Sequence, residues 1–437
     1  MAEKHRVLIL GGGFAGLVAA QTLKHIDAQI TLIDKRNFHL FQPLLYQVAT
    51  GSLSPGEIAA PLRSVLSRQK NVQVLLGEAV DIDPDSRQVT LFDGAVFPYD
   101  SLIVATGSQT SYYGNDHWRE QAPSLKTVEE ATVIRHKILY AFERAERAAT
   151  ESEARAWLTF VIVGAGATGL ELAGALAEIA QETLRHDFRN IHPQESQIFL
   201  LDGGSRVLSS YPADLSAKAE KLVSRLRVKV IKEAFVDQIT SEGVLYKHGG
   251  AEISLSAKTV LWAGGVAATD FSRRVAERTK AEADRSGRIK VLPDLTLPNY
   301  PDIFLAGDPA LILDKKGQPL PGVAQVAIQS GHYAAKVIAA RIKVQKVLPP
   351  FHYFNKGDMA VIGRAAAVAN IFGLHVWGLL AWMTWLFIHL MYIVQFQSRI
   401  LVFIQWGFEY LTFSRGSRLI TGDAVESSPE QSRSRHK

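Results

Sequence analysis

The sequence predicts an α/β fold, and three observations support it. The stretches "HRVLILGGGFAGLVAAQTL" and "LTFVIVGAGATGLELAGALAEI" each join a β-branched, leucine-rich run to a glycine cluster and then to a helical pattern of small and apolar residues. Residues 365–398 carry no Asp, Glu, Lys or Arg. We therefore expect two Rossmann-like dinucleotide-binding domains, as in the two-dinucleotide flavoprotein fold, and a C-terminal helical segment that associates with a membrane.

The composition excludes several kinds of chemistry. The 437 residues suffice for two to three domains, and none of them is a cysteine. This excludes disulfides, thiolate metal sites, iron–sulfur clusters and thiol-based redox relays. No metal site and no nucleic-acid partner are predicted. The first strand begins a few residues after Met1 without a preceding secretory pattern, so the body is expected to fold in the cytoplasm.

The two glycine-containing units divide the chain. We predict that the FAD-binding domain is discontinuous, comprising residues 1–111 and 293–345. The second, NADH-binding domain is inserted between them as residues 112–292. Residues 346–421 are predicted to anchor the protein at a membrane, and the polar tail 422–437 is predicted to be disordered.

The first glycine cluster has the spacing of a dinucleotide-binding turn. Gly11 permits the tight turn, Gly13 lets the backbone approach a pyrophosphate, and Gly16 allows the helix to pack closely on the strand. The strand "ITLID" ends in Asp34, near the spacing expected of a carboxylate that binds ribose hydroxyls. This context favours a nucleotide site over glycines that merely end a strand.

The second cluster repeats this pattern. Gly164, Gly166 and Gly169 occupy the corresponding positions, and "QIFLLD" ends in Asp202. An acidic residue there favours NADH because it repels a 2′-phosphate, whereas the nearby Arg206 leaves use of NADPH open.

Two dinucleotide sites in one chain predict a flavoprotein in which a nicotinamide donates hydride to FAD. Asp308, at the end of "FLAGD", is interpreted as orienting the ribityl or phosphate part of the flavin, and the alternative is a capping aspartate. The residues expected to bind FAD are Gly11, Gly13, Phe14, Ala15, Gly16, Asp34, Thr106, Gly107 and Asp308. Those expected to bind NADH are Gly164, Gly166, Gly169, Asp202 and Gly264.

The absence of cysteine also limits where the electrons can go. The flavin has to pass them directly to an acceptor, which leaves a quinone, a soluble electron-transfer protein or oxygen. From residue 341 onward there are eleven Lys and Arg and only five Asp and Glu. This excess of positive charge favours binding of the C-terminal part to an anionic membrane surface. Residues 376–396 are predicted to form one apolar helix that spans or lies on the membrane, and a buried helical hairpin is the alternative.

The motifs described above, together with several further stretches, resemble those of the type II NADH dehydrogenases, the single-subunit NADH:quinone oxidoreductases that do not pump protons. The resemblance runs from about residue 6 to 422 and rests on "GGGFAGL", "NFHLFQPLLYQVATG", "VGAGATGLELAGALAE", "LWAGG", "LAGD", "AQVAIQ", "KGDMAVIGRAAAV" and "RGSRLI". The most specific is "AQVAIQ", which matches the family motif AQxAxQ beside the flavin and the quinone.

This resemblance implies roles for further residues. Gln325 and Gln329 would line the pocket where the quinone headgroup meets the flavin, with Gln325 and Val326 also at the flavin. Glu171 would lie near the nicotinamide and quinone sites and handle protons, whereas a carboxylate complementing a helix dipole is the alternative. Without the resemblance, the two glutamines would be solvated amides on a surface helix, since residues four apart share a helix face.

The resemblance also implies a homodimer on the cytoplasmic face of the cell inner membrane, with a membrane quinone as the acceptor and an anionic bilayer as a binding surface. Asp202 stands where the family often has Glu, so the preference for NADH remains an expectation.

Two alternatives remain open at this point. One is a soluble NAD(P)H-dependent reductase of ferredoxin or rubredoxin, and the other is a flavin-containing redox sensor or membrane scaffold.

Overall fold

The computed structural model describes residues 4–421, so the predicted disordered tail lies outside the described residues. The strands before residue 112 are β1 His5–Leu10, β2 Ala28–Asp34, β3 Phe38–Leu40, β4 Ala59–Pro61, β5 Val72–Leu76, β6 Ala79–Asp83, β7 Gln88–Leu91, β8 Val96–Pro98, β9 Ser101–Val104 and β10 Ser108–Thr110. The helices are α1 Phe14–Thr22, α2 Leu45–Ala49, α3 Pro55–Ile58 and α4 Leu62–Val65, with a 3₁₀ turn at Gln42–Leu44.

The middle of the chain contains strands β11 Thr159–Val163, β12 Gln197–Leu201, β13 Val228–Ile231, β14 Phe235–Thr240, β15 Gly243–His248, β16 Ala251–Ser256, β17 Thr259–Trp262, β18 Val266–Ala268 and β19 Ile289–Lys290. The helices are α5 Val128–Glu146, α6 Glu151–Trp157, α7 Ala167–Glu178, α8 Ala213–Arg225 and α9 Asp270–Thr279. A π-helical turn, Ile179–Thr183, continues α7, and 3₁₀ turns cover Asp116–Arg119 and Pro193–Glu195.

The last part contains strands β20 Thr296–Leu297, β21 Tyr300–Leu305, β22 Ala310–Leu311, β23 Asp358–Gly363, β24 Ala366–Ile371 and β25 Leu374–Trp377. The helices are α10 Ala324–Ile342, α11 Leu379–Tyr392 and α12 Phe396–Thr412.

Two sheets form the framework of the protein, and their strands are parallel except for β20, which pairs antiparallel with β21. The first is six-stranded in the order β20-β21-β9-β1-β2-β5, and the second is four-stranded in the order β13-β12-β11-β17. The first sheet takes strands from both ends of the chain, whereas the second uses only residues between 159 and 262. Strands β1, β9, β11 and β17 are almost wholly buried, as expected of parallel strands with both faces covered. Both glycine clusters follow the central strand of their sheet.

A third, antiparallel sheet, β23-β24-β25, packs against the second domain. Strands β23 and β24 cover the stretch "MAVIGRAAAVANI", which is therefore part of the globular body. Helix α7 lies so close to β23 that a Cβ on Gly174 would approach the carbonyl oxygen of Ile362 to 1.6 Å. Glycine is therefore required there, and this close packing places the neighbouring turn of α7, with Glu171, against β23.

The predicted helix over residues 376–396 is present but shorter, because α11 covers only Leu379–Tyr392. Strand β25 occupies its beginning, and Gly378, with a φ of 72°, joins that strand to α11. Helix α11 then ends at Tyr392, and α12 follows after a short turn. Within residues 4–421, no helix has both the length and the continuous apolar character required to cross a bilayer.

The two C-terminal helices have one face in the core and one face outside it. Ala381 and Trp385 of α11 and Val402 of α12 are buried in the same core cluster as α2 and α7. The opposite faces expose large apolar side chains, namely Leu379, Leu380, Met383, Phe387 and Met391 on α11 and Phe396, Ile400, Leu401, Phe403, Ile404, Phe408 and Leu411 on α12. The segment is therefore both part of the folded body and an apolar surface.

Candidate active site

The two glycine clusters adopt the same backbone geometry. Gly11 and Gly164, each the first glycine of its cluster, have φ values of 103° and 105°, a region that side-chain-bearing residues rarely adopt. A Cβ on either residue would also collide with the backbone of the adjacent strand end. By contrast, a Cβ on Gly13 or Gly166 would meet nothing within 4 Å. Each cluster is thus closed toward its sheet and open at the N-terminus of the following helix, where a diphosphate binds in such folds.

The acidic residues that end the second strand of each unit also correspond. Asp34 Oδ2 accepts a hydrogen bond from the backbone N–H of Gly12 at 2.5 Å, and Asp202 Oδ2 accepts one from Ala165 at 2.6 Å. The other oxygen of each carboxylate binds a backbone N–H two residues further on, that of Arg36 or Gly204, at 2.7 Å. Burial raises the pKa of Asp34, and its two backbone hydrogen bonds oppose that shift. Both carboxylates therefore lie beside their glycine cluster, as predicted.

Asp308 makes contacts with residues from other parts of the chain. Its Oδ2 accepts a hydrogen bond from Ser108 at 2.5 Å and lies 3.6 Å from Lys126 Nζ. Gly107 precedes Ser108, has a φ of 69°, and a Cβ there would meet nothing within 4 Å. These contacts place Asp308 beside the turn that contains Gly107, so it is more than a local helix cap.

The other predicted cofactor residues lie at the same edges of the two sheets. Phe14 and Ala15 begin α1, and Val326 is buried in the first turn of α10. Thr106 Oγ1 lies 3.0 Å from Ser272 Oγ and 3.1 Å from Thr269 Oγ1, at the start of α9, a helix whose Phe271 and Val275 are buried against strands of the first sheet. Gly264 follows β17 and is next to Gly164, the first glycine of the second cluster. Thr106 thus joins the edge of the first sheet to the start of α9.

His39 was missed by the sequence analysis. It is buried on β3, and its Nδ1 lies 3.0 Å from the carbonyl oxygen of Gly12, in the first glycine cluster. Because a carbonyl only accepts, Nδ1 carries the proton and Nε2 is left as an acceptor. Burial lowers the pKa of His39, so the ring is neutral, and no residue of the described range is hydrogen-bonded to Nε2. The only available signal was its position in "NFHLFQPLLYQVATG", one of the stretches that carry the resemblance.

The two glutamines of "AQVAIQ" bind backbone. Gln325 Nε2 donates to the carbonyl oxygen of Gly357 at 2.9 Å, and its Oε1 accepts from the N–H of Lys356 at 3.3 Å. Gln329 makes a matching pair of bonds with Phe354, both at 2.9 Å. Both amides thus hold the segment Phe354–Gly357, which leads into β23. Hydrogen bonding of these amides to a small molecule stays a prediction.

Glu171 lies in α7 and is partly buried. Burial raises the pKa of Glu171 to about 8, and a hydrogen bond from the backbone N–H of Val361 in β23 opposes this shift. The carboxyl group is therefore mostly protonated at neutral pH. A buried carboxyl with such a pKa in a cavity is a common feature of proton-transferring sites.

Glu171 lines a cavity of about 110 Å³ between the body of the protein and the C-terminal helices, which we call the aromatic cavity. Its walls include Tyr46, Gln47, Ser52, Glu171, Glu178, Arg364, Trp382, Trp385, Leu386, Trp406, Glu409, Tyr410, Phe413 and Arg415. Gln325 and Gln329 are not among the lining residues. The structure thus brings Glu171 together with a set of aromatic residues from α2, α11 and α12.

Charged groups at the aromatic cavity are held in place by pairing. Arg415 Nη2 lies 3.1 Å from Glu178 Oε2, and its Nη1 donates to the carbonyl oxygen of Thr50 at 3.2 Å. Burial raises the pKa of Glu409, while Arg415, Gln405 and Ser52 oppose the shift. The cavity thus combines buried acids with mainly apolar walls. Sequence reasoning did not find these residues because they meet only through long-range folding.

The chain was compared with known proteins. The family described as pyridine nucleotide-disulphide oxidoreductase matches residues 5–331. The type II NADH:quinone oxidoreductases NdhA and Ndh of Mycobacterium tuberculosis are 44% and 42% identical, covering 97% and 96% of this chain and 90% and 91% of their own lengths. A solved structure of NDH2 from Plasmodium falciparum in complex with NADH superposes with a TM-score of 0.86 at 20% identity, covering 94% of this chain and 99% of the other.

Proposed function

The chain belongs to the pyridine nucleotide-disulphide oxidoreductases, and within them to the type II NADH:quinone oxidoreductases, and from this membership we propose which residues carry out its reaction. It is an FAD-dependent enzyme that oxidises NADH and reduces a membrane quinone without pumping protons. The observation that carries this function is the 44% identity over 97% of the chain, which includes the C-terminal helices. A soluble ferredoxin or rubredoxin reductase, left open by the sequence, has no comparable support.

The residues of the first unit fit FAD. The open N-terminus of α1 suits a diphosphate, and Asp34 keeps acceptor capacity for ribose hydroxyls beyond its two backbone bonds. The unpartnered Nε2 of His39, next to Gly12, offers an acceptor to a hydroxyl of the cofactor. Asp308, beside Gly107, would orient the ribityl or phosphate part. When bound, FAD supplies the capacity to take a hydride from NADH and to release two electrons to the quinone.

The second unit would hold NADH in the same way. The open N-terminus of α7 suits its diphosphate, and Asp202 would bind the ribose hydroxyls and repel a 2′-phosphate. Gly264, next to Gly164, keeps the edge of this site free of side chains. The Asp202 carboxylate is the feature that supports NADH as the preferred nucleotide.

Glu171 would supply a proton to the reduced quinone. Quinone reduction consumes two protons, and a buried carboxyl with a pKa of about 8 is protonated at neutral pH and can donate one. Val361 holds the carboxyl group against β23, and the aromatic cavity gives it a space from which it can be reprotonated. Gln325 and Gln329 would act beside the quinone and position β23 through the segment Phe354–Gly357.

The enzyme is membrane-associated, and we propose that the exposed faces of α11 and α12 form the contact. Leu380 and Phe387, seven residues apart on α11, are each about two-thirds exposed, at 66% and 65%. Helix α11 carries no Asp, Glu, Lys or Arg, whereas the chain from residue 341 onward has an excess of basic residues. These properties suit a helix pair lying in the interface of an anionic leaflet on the cytoplasmic face of the inner membrane. The homodimer implied by the resemblance stays a prediction.

The test of this function is NADH oxidation by the purified, flavin-loaded protein with menadione, with a short-chain ubiquinone, with ferredoxin, and with oxygen alone. We expect both quinones to accelerate NADH oxidation strongly, and NADPH to support a slower reaction than NADH. Equal rates with and without quinone would contradict the proposed function. Ferredoxin reduction at a higher rate would favour the soluble reductase instead.

A further inference from the structure

A chain of two hydrogen bonds joins the C-terminal helix α12 to Tyr46 in α2. Trp406 Nε1 donates to Gln47 Oε1 at 2.7 Å, and Gln47 Nε2 donates to Tyr46 Oη at 2.9 Å. All three side chains line the aromatic cavity. Tyr46 and Gln47 are both buried, so these bonds are shielded from competing solvent. The contact links residues that are 359 positions apart in the sequence.

The chemistry of the three groups fixes the direction of the chain. An indole N–H can only donate, so the atom of Gln47 that faces Trp406 has to be the carbonyl oxygen. The amide nitrogen of Gln47 therefore faces Tyr46 and donates to its hydroxyl oxygen. Because the hydroxyl accepts from Gln47, its own proton points elsewhere. Burial raises the pKa of Tyr46, and the nearby acids Glu171 and Glu178 raise it further. Gln47 and Arg415 oppose this rise but do not cancel it. The Tyr46 hydroxyl therefore keeps its proton.

The same cavity contains a second donor that lacks a partner. Trp385 is fully buried, lines the aromatic cavity, and packs near Tyr46 with ring centroids 6.4 Å apart. Nothing in residues 4–421 is hydrogen-bonded to its Nε1. Buried donors without partners are rare in folded proteins and call for an explanation, such as a molecule that binds there. A hydrogen-bond acceptor bound beside Trp385 would satisfy this donor.

The oxidised quinone has the complementary properties. Its two carbonyl oxygens only accept hydrogen bonds, and its ring is flat and apolar, which suits walls made of aromatic side chains. The aromatic cavity also lies against α11 and α12, whose outer faces are the proposed membrane contact. A quinone leaving the bilayer at these helices would meet Trp385, Trp406 and Tyr46 before it reached the rest of the site.

We propose that the Tyr46 hydroxyl donates a hydrogen bond to a carbonyl oxygen of the quinone, and that Trp406 positions this hydroxyl through Gln47. The inference rests on the proposed function, since it names how that quinone is held. It also gives α12 a role in the reaction besides membrane contact. A change in how α12 sits on the body alters the Trp406–Gln47 bond, and with it the direction in which the Tyr46 proton points.

The experiment follows the two half reactions separately by stopped-flow in the flavin-loaded enzyme. In Tyr46→Phe, we expect reoxidation of the reduced flavin by menadione to slow by roughly five- to tenfold, the loss of one hydrogen bond. Reduction by NADH should keep its wild-type rate. Trp406→Phe should slow reoxidation by a smaller factor and raise the apparent KM for the quinone. Trp157→Phe, which removes an indole on α6 that does not line the cavity, is the control.

The double variant Tyr46→Phe/Trp406→Phe separates positioning from general packing. If Trp406 acts through the hydroxyl, its replacement has no further effect once the hydroxyl is gone. Additive losses, or wild-type reoxidation by Tyr46→Phe, would overturn the inference. If Tyr46→Phe does not retain flavin, Trp406→Phe alone decides, and an unchanged reoxidation rate overturns it. Failure of the wild-type enzyme to reduce menadione would instead contradict the proposed function itself.

Discussion

The side chain of Gln329 makes two hydrogen bonds to the backbone of Phe354, one to its carbonyl oxygen and one from its N–H, both at 2.9 Å. Three residues on, Gly357 accepts the corresponding bond from Gln325 and leads directly into β23. That strand supplies the N–H of Val361 that binds Glu171. The two glutamines are therefore connected to the buried acid through one short stretch of backbone.

Replacing Gln329 by Leu should slow reoxidation of the flavin by quinone several-fold, because about 1 kcal/mol of hydrogen bonding that holds the segment Phe354–Gly357 is lost. Reduction by NADH should be nearly unchanged, since the proposed nicotinamide site lies at the second glycine cluster. Stopped-flow measurement of both half reactions is the test, with Gln73→Leu at an exposed position of β5 as the control. Wild-type rates in both half reactions would show that Gln329 has no role in quinone reduction and serves only the structure.

Replacing Asp202 by Asn should reduce the preference for NADH over NADPH. The Asn side chain has the shape of Asp, but its NH₂ group would face the backbone N–H of Ala165 or of Gly204, so one hydrogen bond is lost. The neutral amide also no longer repels a 2′-phosphate. The loss of a charge-assisted bond corresponds to roughly 1.5 to 3 kcal/mol. The measured quantity is the ratio of kcat/KM values for the two nucleotides. Asp34→Asn is the matched control, which should weaken flavin retention without changing that ratio.

The stability of the protein should depend on pH through Glu171. Its pKa in the folded state is about 8, because burial disfavours the charged form, whereas an unfolded Glu has its model value of 4.5. Between these values the folded state binds the extra proton, so the free energy of unfolding falls as pH rises from about 4.5 to about 8. Thermal unfolding of wild type and Glu171→Gln at pH 6 and pH 8.5 tests this. The variant should lose less stability than wild type over that interval, and equal losses would argue against the shifted pKa.

The parts of the site that the sequence predicted are local. Gly11, Gly13 and Asp34 lie within one strand–turn–helix–strand unit, and the bond between Asp34 and Gly12 spans only 22 positions. Their spacing reflects the geometry of a single βαβ unit, which is why a pattern of residue types was sufficient to find them. The same holds for the second cluster and Asp202.

The rest of the site depends on packing between distant segments. Trp406 meets Gln47 across 359 positions, and no periodicity of either helix indicates that contact. The predicted helix over residues 376–396 extended a few residues too far at each end, because a buried strand and a buried helix are both apolar and the pattern does not mark where one gives way to the other. Gly378, with its positive φ, ends the strand there, and a glycine in such a run is also compatible with a helix. The protonation state of Glu171 could not be predicted from the sequence either, because the raised pKa results from the packing of α7 against β23.

The ion pair of Arg415 with Glu178 should hold the end of the C-terminal segment on the body. Arg415 is nearly buried, and Glu178 also accepts a hydrogen bond from the backbone of Arg364. Arg415→Met should destabilise the protein by about 2 kcal/mol, because it leaves a half-buried carboxylate with one partner fewer. The double variant Arg415→Met/Glu178→Gln should recover part of this loss. Thermal unfolding of the single and double variants gives the measurement, and a double variant less stable than Arg415→Met would refute the pairing.

Membrane binding should depend on the outer face of α11 and not on apolar exposure in general. Leu380 and Phe387 lie on that face, so Leu380→Gln/Phe387→Gln should shift the enzyme from the vesicle fraction to the supernatant when anionic vesicles are sedimented. The flavin should stay bound, because Trp385 and Ala381 on the inner face, which hold α11 in the core, are unchanged. Phe92→Gln/Phe235→Gln removes two exposed aromatic side chains elsewhere and should leave binding as in wild type. If both double variants sedimented equally with vesicles, the face of α11 would not be the contact, and loss of flavin from the first would show instead that its outer face supports the fold.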